Sequence, residues 1–327
     1  MDLIERFSDR IREVNKEIEG ILEIKKPENL YLAARHLPIA GGKRLRPLIA
    51  MLSTEVVGGN WRKAIPFSVS LELMHNFTLV HDDIMDRSPM RRGIETVHIK
   101  FGEETAIIAG DVLFAKSYES LHNLDIDSES FRRLCFLLTK CIEEICEGQE
   151  LDMEFEKRND VSEEEYFDMI NRKTAALFSC SAEGGAIIGK GSEEEIGSLS
   201  TYGRFFGLAF QIWDDYLDLK GEENEFGKKI GNDIREGKKT LMIIHALSNA
   251  NDDEKKMILS VLGKKDASDE EVKEVIDILE RIGSLDYSRR KAVEFSKRAK
   301  QSLSILPDND AKHYLEELVD YCISRRR

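Results

Sequence analysis

Apolar residues recur at helical spacing along almost all of this 327-residue chain. In residues 2–22 most of them follow the previous one by three or four positions, which places them on one face of an α-helix: Leu3, Ile4, Phe7, Ile11, Val14, Ile18, Ile21 and Leu22. The alternation typical of β-strands is nearly absent. The sequence therefore predicts an all-α fold, and no Pro/Gly/Ser-rich linker separates its halves. We expect residues 1–327 to form a single large helical domain around a deep central cavity.

Composition narrows the possible partners and the location. The chain carries 62 acidic and 48 basic residues, a net charge of −14, which argues against nucleic acid as the main partner. No apolar run approaches the roughly 20 residues that a membrane helix needs. The N-terminal segment lacks the apolar core of a signal peptide, so we expect a cytoplasmic protein. Five cysteines without a CxxC pair indicate free thiols, most of them buried.

Two acidic motifs end otherwise apolar helical stretches. Both read DDxxD, at residues 82–86 and 214–218. The first and last aspartates of each motif lie four positions apart, on one helix face. Like charges ~4 Å apart cost ~4 kcal/mol at an effective dielectric constant of about 20, so a cation is expected between them. Oxygen ligands suit Mg²⁺, and the two motifs are predicted to form two walls of one polyphosphate site.

The alternative is a solvated helix face, which is the usual explanation of a single DDxxD in a chain that is 34% charged. Here, however, apolar residues lead into each motif: Phe77, Leu79 and Val80 before the first, and Phe210, Ile212 and Trp213 before the second. Acidic groups within apolar helix need partners. The repetition of the motif therefore favours a functional site.

Basic residues accompany both acidic motifs. The segment GGKRLRP at 41–47 places three cations beside two glycines, and Arg91 and Arg92 follow the first motif. Three lysines lie in or beside a glycine-containing loop after the second: Lys228, Lys238 and Lys239. Glycine lets the backbone approach an anion, and the planar arginine fork suits phosphate. No GxxxxGK[ST] motif is present, so nucleotide-dependent chemistry is not indicated.

Further polar residues share the direction of the acids. On an ideal helical wheel His75 lies close to the face of the first motif, and Gln211 shares the face of the second. A lone histidine in apolar helix is more often a core residue, but two aligned polar groups favour a lined pocket. Ser162 begins a helix by its capping signature, and this helix is predicted to run on through Lys173 and Thr174.

Six motifs in a fixed order resemble the trans-isoprenyl diphosphate synthases, the polyprenyl synthetase family. They are GGKRLRP at 41–47, LVHDDIMDRSPMRRG at 79–93, GDVLFA at 110–115, KTA at 173–175, QIWDDYLD at 211–218 and FGKKIGNDIREGKKT at 226–240. The resemblance implies an isoprenoid synthase fold and a prenyltransferase that usually forms homodimers. It implies Mg²⁺-dependent head-to-tail condensation of isopentenyl diphosphate with dimethylallyl, geranyl or farnesyl diphosphate.

The resemblance also implies a role for each motif residue. Three aspartates would bind Mg²⁺, with three ions per active site: Asp82, Asp86 and Asp214. Asp83 and Asp218 would support them, and Asp215 completes the catalytic set. The allylic diphosphate would be held by Arg91, Lys173, Gln211, Lys228 and Lys238. Isopentenyl diphosphate would be held by Lys43, Arg46, His75 and Arg92. Thr174 and Gln211 would face the developing allylic cation.

Product length depends, in this family, on bulk just before the first acidic motif. Phe77 stands five positions before it and Thr78 is the small residue next to Phe77, an arrangement that resembles archaeal geranylgeranyl synthases. Met74, one helical turn deeper, is the next candidate. Geranylgeranyl diphosphate is therefore the expected main product, with farnesyl diphosphate as a possible co-product.

Several alternatives remain open on the sequence. The chain could be a farnesyl or longer-chain synthase. A terpene cyclase would replace the second DDxxD by a different metal motif and would not need the GGKRLRP segment. A head-to-head synthase would space its aspartates differently. A non-catalytic partner subunit would be expected to have lost aspartates or cations, and both acidic motifs are intact here.

Overall fold

The computed structural model describes residues 3–220 and 230–325, and these residues are almost entirely helical. Within these two ranges, one pair of two-residue strands interrupts the helices: Met90–Arg91 (β1) pairs antiparallel with Ile94–Glu95 (β2). The all-α prediction is confirmed.

Sixteen α-helices follow one another in the described ranges. The first seven are α1 (Ser8–Ile21), α2 (Glu28–Ile39), α3 (Leu45–Val56), α4 (Ile65–Asp86), α5 (Val97–Phe101), α6 (Glu103–Leu121) and α7 (Ser128–Glu156). The next four are α8 (Glu163–Ile170), α9 (Ala176–Ile188), α10 (Glu193–Lys220) and α11 (Asn232–Glu236). The last five are α12 (Leu241–Asn249), α13 (Asp252–Val261), α14 (Asp269–Ile282), α15 (Ser284–Ser302) and α16 (Asp310–Ser324).

Short turns of tighter or wider helix join some of these elements. Turns of 3₁₀-helix cover Ile4–Phe7, Trp61–Ala64 and Leu303–Ile305. Between α8 and α9, residues Asn171–Ala175 form a π-helical turn. The helix predicted to begin at Ser162 thus does continue through Lys173 and Thr174, but with a wider turn there.

The described chain divides into two compact units. Unit 1 comprises Met1–Thr139, Cys180–Ser200 and Ile305–Glu317. Unit 2 comprises Lys140–Ser179, Thr201–Ser304 and Leu318–Arg327. That residues 1–327 form a single domain stays a prediction.

Helix α4 is the central helix of unit 1. It contacts α1, α2, α3, α5 and α6, and its buried residues include Phe67, Leu71, Leu73, Met74 and Val80. A proline near its N-terminus is compatible with helix because the first N–H groups have no helical acceptor. These contacts with five helices determine the position of α4 and therefore of its last turn, which carries the first acidic motif.

Unit 2 has two apolar clusters that share α12. Leu241 and Ile244 pack with Tyr166, Ile212 and other residues of one cluster. Met242 and Ile243 pack into the second cluster, among residues of α13, α14 and α15. A short helix that is apolar on all sides has to be buried on all sides.

Local signals in the sequence predict the start of α8 well. Ser162 Oγ accepts from the Glu165 N–H at 3.2 Å, and the Glu165 carboxylate accepts from the Ser162 N–H at 2.8 Å. This reciprocal capping box is the motif that the sequence predicts.

Two expectations from composition also have counterparts in the described residues. None of their helices is both long enough and apolar enough to span a membrane. The five cysteines form no disulfide with one another; Cys141, Cys180 and Cys322 are buried, whereas Cys135 is half-buried and Cys146 is exposed.

Candidate functional site

The first acidic motif forms the last turn of α4, in unit 1. Asp83, its middle aspartate, is buried, and its Oδ1 accepts from Arg91 Nε at 2.7 Å. Burial raises the pKa of Asp83 to about 6; Arg91 opposes this shift, and the charges of Asp82 and Asp86 add to it. Asp82 and Asp86 themselves are half-buried. The motif therefore presents two accessible carboxylates around one buried carboxylate.

A tight hairpin returns Arg91 to this motif. Met90 pairs with Glu95 and Arg91 with Ile94, which leaves a two-residue turn of Arg92 and Gly93. Both turn residues have positive φ, 53° and 76°, as a type I′ hairpin turn requires. The sequence predicts only a loop here, and the hairpin explains how neighbouring arginines reach different partners.

Arg92 reaches the glycine loop at residues 41–42. Its guanidinium donates to the Gly41 carbonyl and, at 3.4 Å, to Asn76 Oδ1. A Cβ on Gly42 would lie 3.2 Å from Arg92 Cζ, and the φ of Gly42 is +143°, so glycine suits this position on both counts. Lys43 is exposed at the next position in the loop.

His75 lies within a group of arginines. Burial lowers its pKa well below the ordinary value, and the positive charges of Arg46, Arg92, Arg91 and Arg44 lower it further, in that order. The imidazole is therefore neutral at physiological pH. A neutral ring amid guanidinium groups can donate or accept a hydrogen bond while the arginines attract an anion.

Arg44, within the same basic segment, has a different environment. It is buried, adopts a left-handed backbone conformation and donates to Glu72 Oε1 at 2.5 Å. Asn76 Nδ2 donates to the same Glu72 oxygen at 3.0 Å. This pair has a local signal in the sequence, because a glutamate in the apolar stretch before the first motif requires a cationic partner.

The second acidic motif, in unit 2, repeats the burial pattern of the first. Asp215 is buried; Tyr166 Oη donates to its Oδ2 and Gln211 Nε2 to its Oδ1, each at 2.7 Å. Burial raises the pKa of Asp215 to about 7; the two donors oppose this shift, and the charges of Asp214 and Asp152 add to it. Asp214 and Asp218 are half-buried.

Asp214 and Asp218 each have a partner. The Arg325 guanidinium, which lies over the Phe210 ring 3.9 Å from the ring centroid, donates to Asp214 Oδ1. Asp218 Oδ2 accepts from the N–H of Asp233, in the first turn of α11, at 3.1 Å. The partner of Asp214 has no local sequence signal, because Arg325 is more than a hundred residues away.

Lys173 and Thr174 lie in the π-helical turn of unit 2. Thr174 Oγ1 donates to Gln211 Oε1 at 2.7 Å, so threonine and glutamine dipoles are brought together. Lys173 Nζ and Lys238 Nζ both donate to Asp152 Oδ2, at 2.6 and 3.0 Å. Single-turn π-bulges are frequent at functional sites.

The residues expected to limit product length lie on α4. The Phe77 ring packs edge-on against His81 with a centroid distance of 4.9 Å, and it lies 5.4 Å from the Phe114 ring of α6. Thr78 Oγ1 donates to the His75 carbonyl at 2.8 Å, and Met74 is fully buried.

The donor sets fit magnesium. Asp83 Oδ2 is buried and, among the described residues, has no hydrogen-bond partner, while Asp82 and Asp86 offer further carboxylate oxygens. No group of three or more His, Cys, Asp or Glu side chains already converges as a metal site within residues 3–220 and 230–325. Carboxylate oxygens are ligands that Mg²⁺ accepts, together with water and substrate phosphate.

Comparison with known proteins decides the family. Residues 27–279 match the family model described as polyprenyl synthetase. The chain belongs to the polyprenyl synthetase family. This polyprenyl synthetase is a prenyltransferase with the isoprenoid synthase fold, so the family, fold and enzyme class expected from the sequence are confirmed.

Relatives of this polyprenyl synthetase match it over nearly its whole length. It is 42% identical to geranylgeranyl diphosphate synthase of Methanosarcina mazei, over 99% of this chain and 98% of that protein. It is 45% identical to geranylgeranyl pyrophosphate synthase of Geoglobus acetivorans, over 98% of each. The crystal structure of geranylgeranyl pyrophosphate synthetase from Pyrococcus horikoshii Ot3 superposes with a TM-score of 0.94 at 45% identity, covering 99% of this chain and 98% of that one.

The predicted site residues of the polyprenyl synthetase fall into groups. Unit 1 brings His75 together with Arg46, Arg91 and Arg92, and Asp83 with Arg91. Unit 2 brings Thr174 to Gln211, and Lys173 to Lys238. Lys228 lies outside the described residues. Sequence reasoning missed Tyr166, Asp152 and Arg325, whose partners are distant in the sequence.

Proposed function

We propose that this polyprenyl synthetase makes geranylgeranyl diphosphate by head-to-tail (1′–4) condensation of isopentenyl diphosphate with allylic diphosphates. One observation supports this most directly: four arginines lie close enough to His75 to lower its pKa, beside the first acidic motif, and such a group of positive charges suits an anion. A terpene cyclase ionises one diphosphate and has no need of a second anion site. The relatives named as geranylgeranyl diphosphate synthases, at 42–45% identity, agree with this choice.

Different residues of the chain hold the two diphosphates. Lys43, Arg46, His75 and Arg92 hold the diphosphate of isopentenyl diphosphate. Lys173, Lys228 and Lys238, with Arg91 and Gln211, hold the allylic diphosphate. As the allylic C–O bond breaks, negative charge builds on the departing diphosphate, and fixed cations in a water-poor site stabilise it. The homoallylic double bond then attacks the cation, and the released diphosphate takes the proton that ends the cycle.

Thr174 and Gln211 stabilise the cation itself. Because Gln211 Nε2 donates to Asp215, the Gln211 oxygen is directed towards Thr174, whose hydroxyl donates to it. The lone pairs that remain on these two oxygens are suited to an allylic cation. Asp215, which also accepts from Tyr166 Oη, thus fixes the orientation of the glutamine amide.

Magnesium would be held by Asp82, Asp86 and Asp214, with Asp83 and Asp218 in support. We propose three ions per active site. When bound, Mg²⁺ neutralises charge that develops on the diphosphate. The intact pair of accessible aspartates in the first motif supports this assignment. It implies that Asp214 gives up its pairing with Arg325 when it binds metal.

Product length is set, in this proposal, at Phe77. Its ring is braced by Phe114, so it cannot turn aside easily when a growing prenyl tail reaches it. Farnesyl diphosphate is a possible co-product. Related proteins at 38% and 39% identity are geranylfarnesyl diphosphate synthases, so a longer product is the nearest alternative.

A homodimer is proposed from an exposed apolar surface on unit 1. Ile107 and Ile108 of α6 are 42% and 51% exposed, and Phe136 of α7 is 65% exposed. Exposed apolar side chains that form a patch are candidates for contact with another chain. They belong to α6 and α7. The cytoplasmic location stays a prediction.

The deciding experiment is condensation by the purified chain alone. Isopentenyl diphosphate and farnesyl diphosphate are supplied with Mg²⁺, diphosphate release is measured, and dephosphorylated products are separated by chromatography. We expect a C20 alcohol as the main product. A cyclic hydrocarbon formed without isopentenyl diphosphate would support a terpene cyclase. No turnover by a folded chain would support a non-catalytic partner subunit.

A further inference from the structure

The lysines of unit 2 share a carboxylate that belongs to none of the recognised motifs. Asp152, on α7, is 7% exposed. Its Oδ2 accepts from Lys173 Nζ at 2.6 Å and from Lys238 Nζ at 3.0 Å. Because both bonds end on one oxygen, the two ammonium nitrogens can be no farther apart than the sum of these distances, 5.6 Å. Asp152 therefore gathers two cations from distant parts of the chain.

The backbone near Lys173 is shaped for this contact. A Cβ on Gly148 would lie 2.3 Å from the Lys173 backbone nitrogen, so α7 and the π-helical turn approach more closely than any other residue would allow. Asp152 follows Gly148 by four positions, which places it one turn further along the same face of α7. The close approach at Gly148 thus places the Asp152 carboxylate within hydrogen-bond distance of Lys173.

If only net charge is considered, the negative charge of Asp152 should weaken the binding of a diphosphate. A buried carboxylate repels a polyanion, and burial itself tends to raise the pKa of the group. Lys173 and Lys238 more than offset burial and hold the pKa of Asp152 below its ordinary value. The carboxylate is therefore ionised while it contacts both lysines.

We infer that Asp152 is a positioning residue, whose carboxylate holds Lys173 and Lys238 as a preformed cation pair for the allylic diphosphate. This role rests on the proposed function, because it takes both lysines as diphosphate ligands. Without the carboxylate, two ammonium groups at this spacing repel each other and their long side chains regain rotational freedom. Cations fixed in advance stabilise the leaving group without rearranging during ionisation.

The isosteric substitution Asp152→Asn separates positioning from simple charge counting, because the two predict effects of opposite sign. Charge counting predicts that loss of a negative charge strengthens diphosphate binding. Positioning predicts that kcat/KM for farnesyl diphosphate falls about tenfold to hundredfold, the scale of misplaced catalytic groups, while the KM for isopentenyl diphosphate stays within about twofold. An unchanged or higher kcat/KM for farnesyl diphosphate would overturn the inference.

Glu156 offers a matched control on the same helix. It accepts from Lys238 Nζ at 2.6 Å and is more exposed than Asp152, whereas the Asp152 carboxylate accepts from both lysines. Glu156→Gln should stay within about threefold of the unsubstituted chain, as expected for removal of a partly exposed ion pair. If it costs as much as Asp152→Asn, sharing of two lysines is not the reason for the loss, and the inference fails.

A double substitution distinguishes positioning from a purely structural role. If Asp152 acts through Lys238, then Asp152→Asn in a Lys238→Gln background should add clearly less than it does alone. Losses that multiply in full would contradict this.

Calorimetric titration of each variant with inorganic diphosphate and Mg²⁺ gives a readout that does not need turnover, and Asp152→Asn should bind more weakly. If the unsubstituted chain failed to condense the substrates at all, the proposed function would fall together with this inference; an active chain with an equally active Asp152→Asn variant would reject this inference alone.

Discussion

Corresponding aspartates of the two acidic motifs are buried to a similar degree. In both, the middle aspartate is buried and has a raised pKa: about 6 for Asp83 and about 7 for Asp215. The outer aspartates are half-buried in both motifs. On a helical wheel the middle residue is turned about 100° from the first, so the difference could be read from the sequence. The middle aspartates are therefore enclosed by the protein, whereas the outer ones are partly exposed.

Removing an outer carboxylate should cost activity rather than stability. Asp82→Ala should lower kcat/KM more than about a hundredfold, or ~3 kcal/mol of transition-state stabilisation, as for removal of other strong electrostatic contacts. Steady-state kinetics with saturating Mg²⁺ measures this. Asp125→Ala, which removes a highly exposed carboxylate near Lys63, is the control and should be neutral. Near-normal turnover of Asp82→Ala, or full activity in EDTA, would contradict the metal assignment.

Burial of Asp215 should make stability depend on pH. The pKa is raised to about 7 in the folded chain and is near 3.8 when unfolded, so the folded state binds the extra proton between these values. This stabilisation is fully present below about pH 4 and is lost as the pH rises through about 7. Without Mg²⁺, the melting temperature of the unsubstituted chain relative to Asp215→Asn should fall from pH 5 to pH 8. A difference that is constant over this range would show that Asp215 is ionised throughout.

Truncation of Phe77 should lengthen the product. Phe77→Ala removes the ring braced by Phe114. A vacated core site usually costs ~3–5 kcal/mol, but at a pocket floor the prenyl tail can fill the space, so the fold should survive. Chromatography should show products longer than C20. Phe101→Ala, which removes a ring from α5, should leave the product profile unchanged; a folded, active Phe77→Ala with the same profile would direct attention to Met74.

Helices α4 and α6 meet at a glycine in unit 1. A Cβ on Gly110 would lie 2.2 Å from His81 Nε2, and that histidine nitrogen is also 3.1 Å from the Ile107 carbonyl. His81 immediately precedes the first acidic motif. The contact therefore links the spacing of the two helices to the position of the first acidic motif.

Gly110→Ala should destabilise the chain by ~1–3 kcal/mol, the usual cost of forcing atoms into a packed interior. Activity should fall as well, because His81 must move beside Asp82. Gly197→Ala on α10 is the matched control: nothing lies within 4 Å of its added Cβ, so the higher helix propensity of alanine should stabilise by ~0.5–1 kcal/mol. Urea unfolding compares the two. Equal effects of both substitutions would exclude the close approach as the cause.

Element boundaries follow local signals, whereas contacts between elements do not. The capping box at Ser162 is fully local and was predictable. The π-helical turn at Asn171–Ala175 was not, since Gly148 of α7 approaches it from elsewhere in the chain. The hairpin that carries Arg91 and Arg92 depends on positive φ at Arg92, a residue type that rarely indicates such a turn. The motifs predict which residues matter, and the packing determines what they touch.

At the scale of the molecule, the exposed apolar surface of unit 1 should mediate self-association. Phe136→Glu and Ile108→Glu each place a charge on that surface and should shift a dimer towards monomer, because burying an unpaired carboxylate is costly. Light scattering with size-exclusion chromatography measures the mass. Leu259→Glu, at another exposed apolar position, should leave the mass unchanged. A monomeric unsubstituted chain at micromolar concentration would rule out the homodimer.

Long-range partnerships explain why the sequence predicts the family but not the complete site. Asp152 meets Lys238, and Asp214 meets Arg325, across many intervening residues. Neither pair leaves a local pattern. Arg44 and Arg92 both belong to basic segments and both donate to the Gly41 carbonyl, yet Arg44 is buried and 2.5 Å from Glu72 Oε1, whereas Arg92 lies 3.9 Å from that oxygen. Composition and periodicity cannot separate such cases.

The contact at Gly110 also has a consequence for evolutionary history. All three of the nearest atoms to an added Cβ belong to the His81 ring, so the obstacle at position 110 is a single side chain. The two positions are therefore epistatic. A side chain at 110 is accommodated at lower cost after residue 81 has become smaller, because otherwise the His81 ring must move. Libraries that vary position 110 alone should therefore favour glycine.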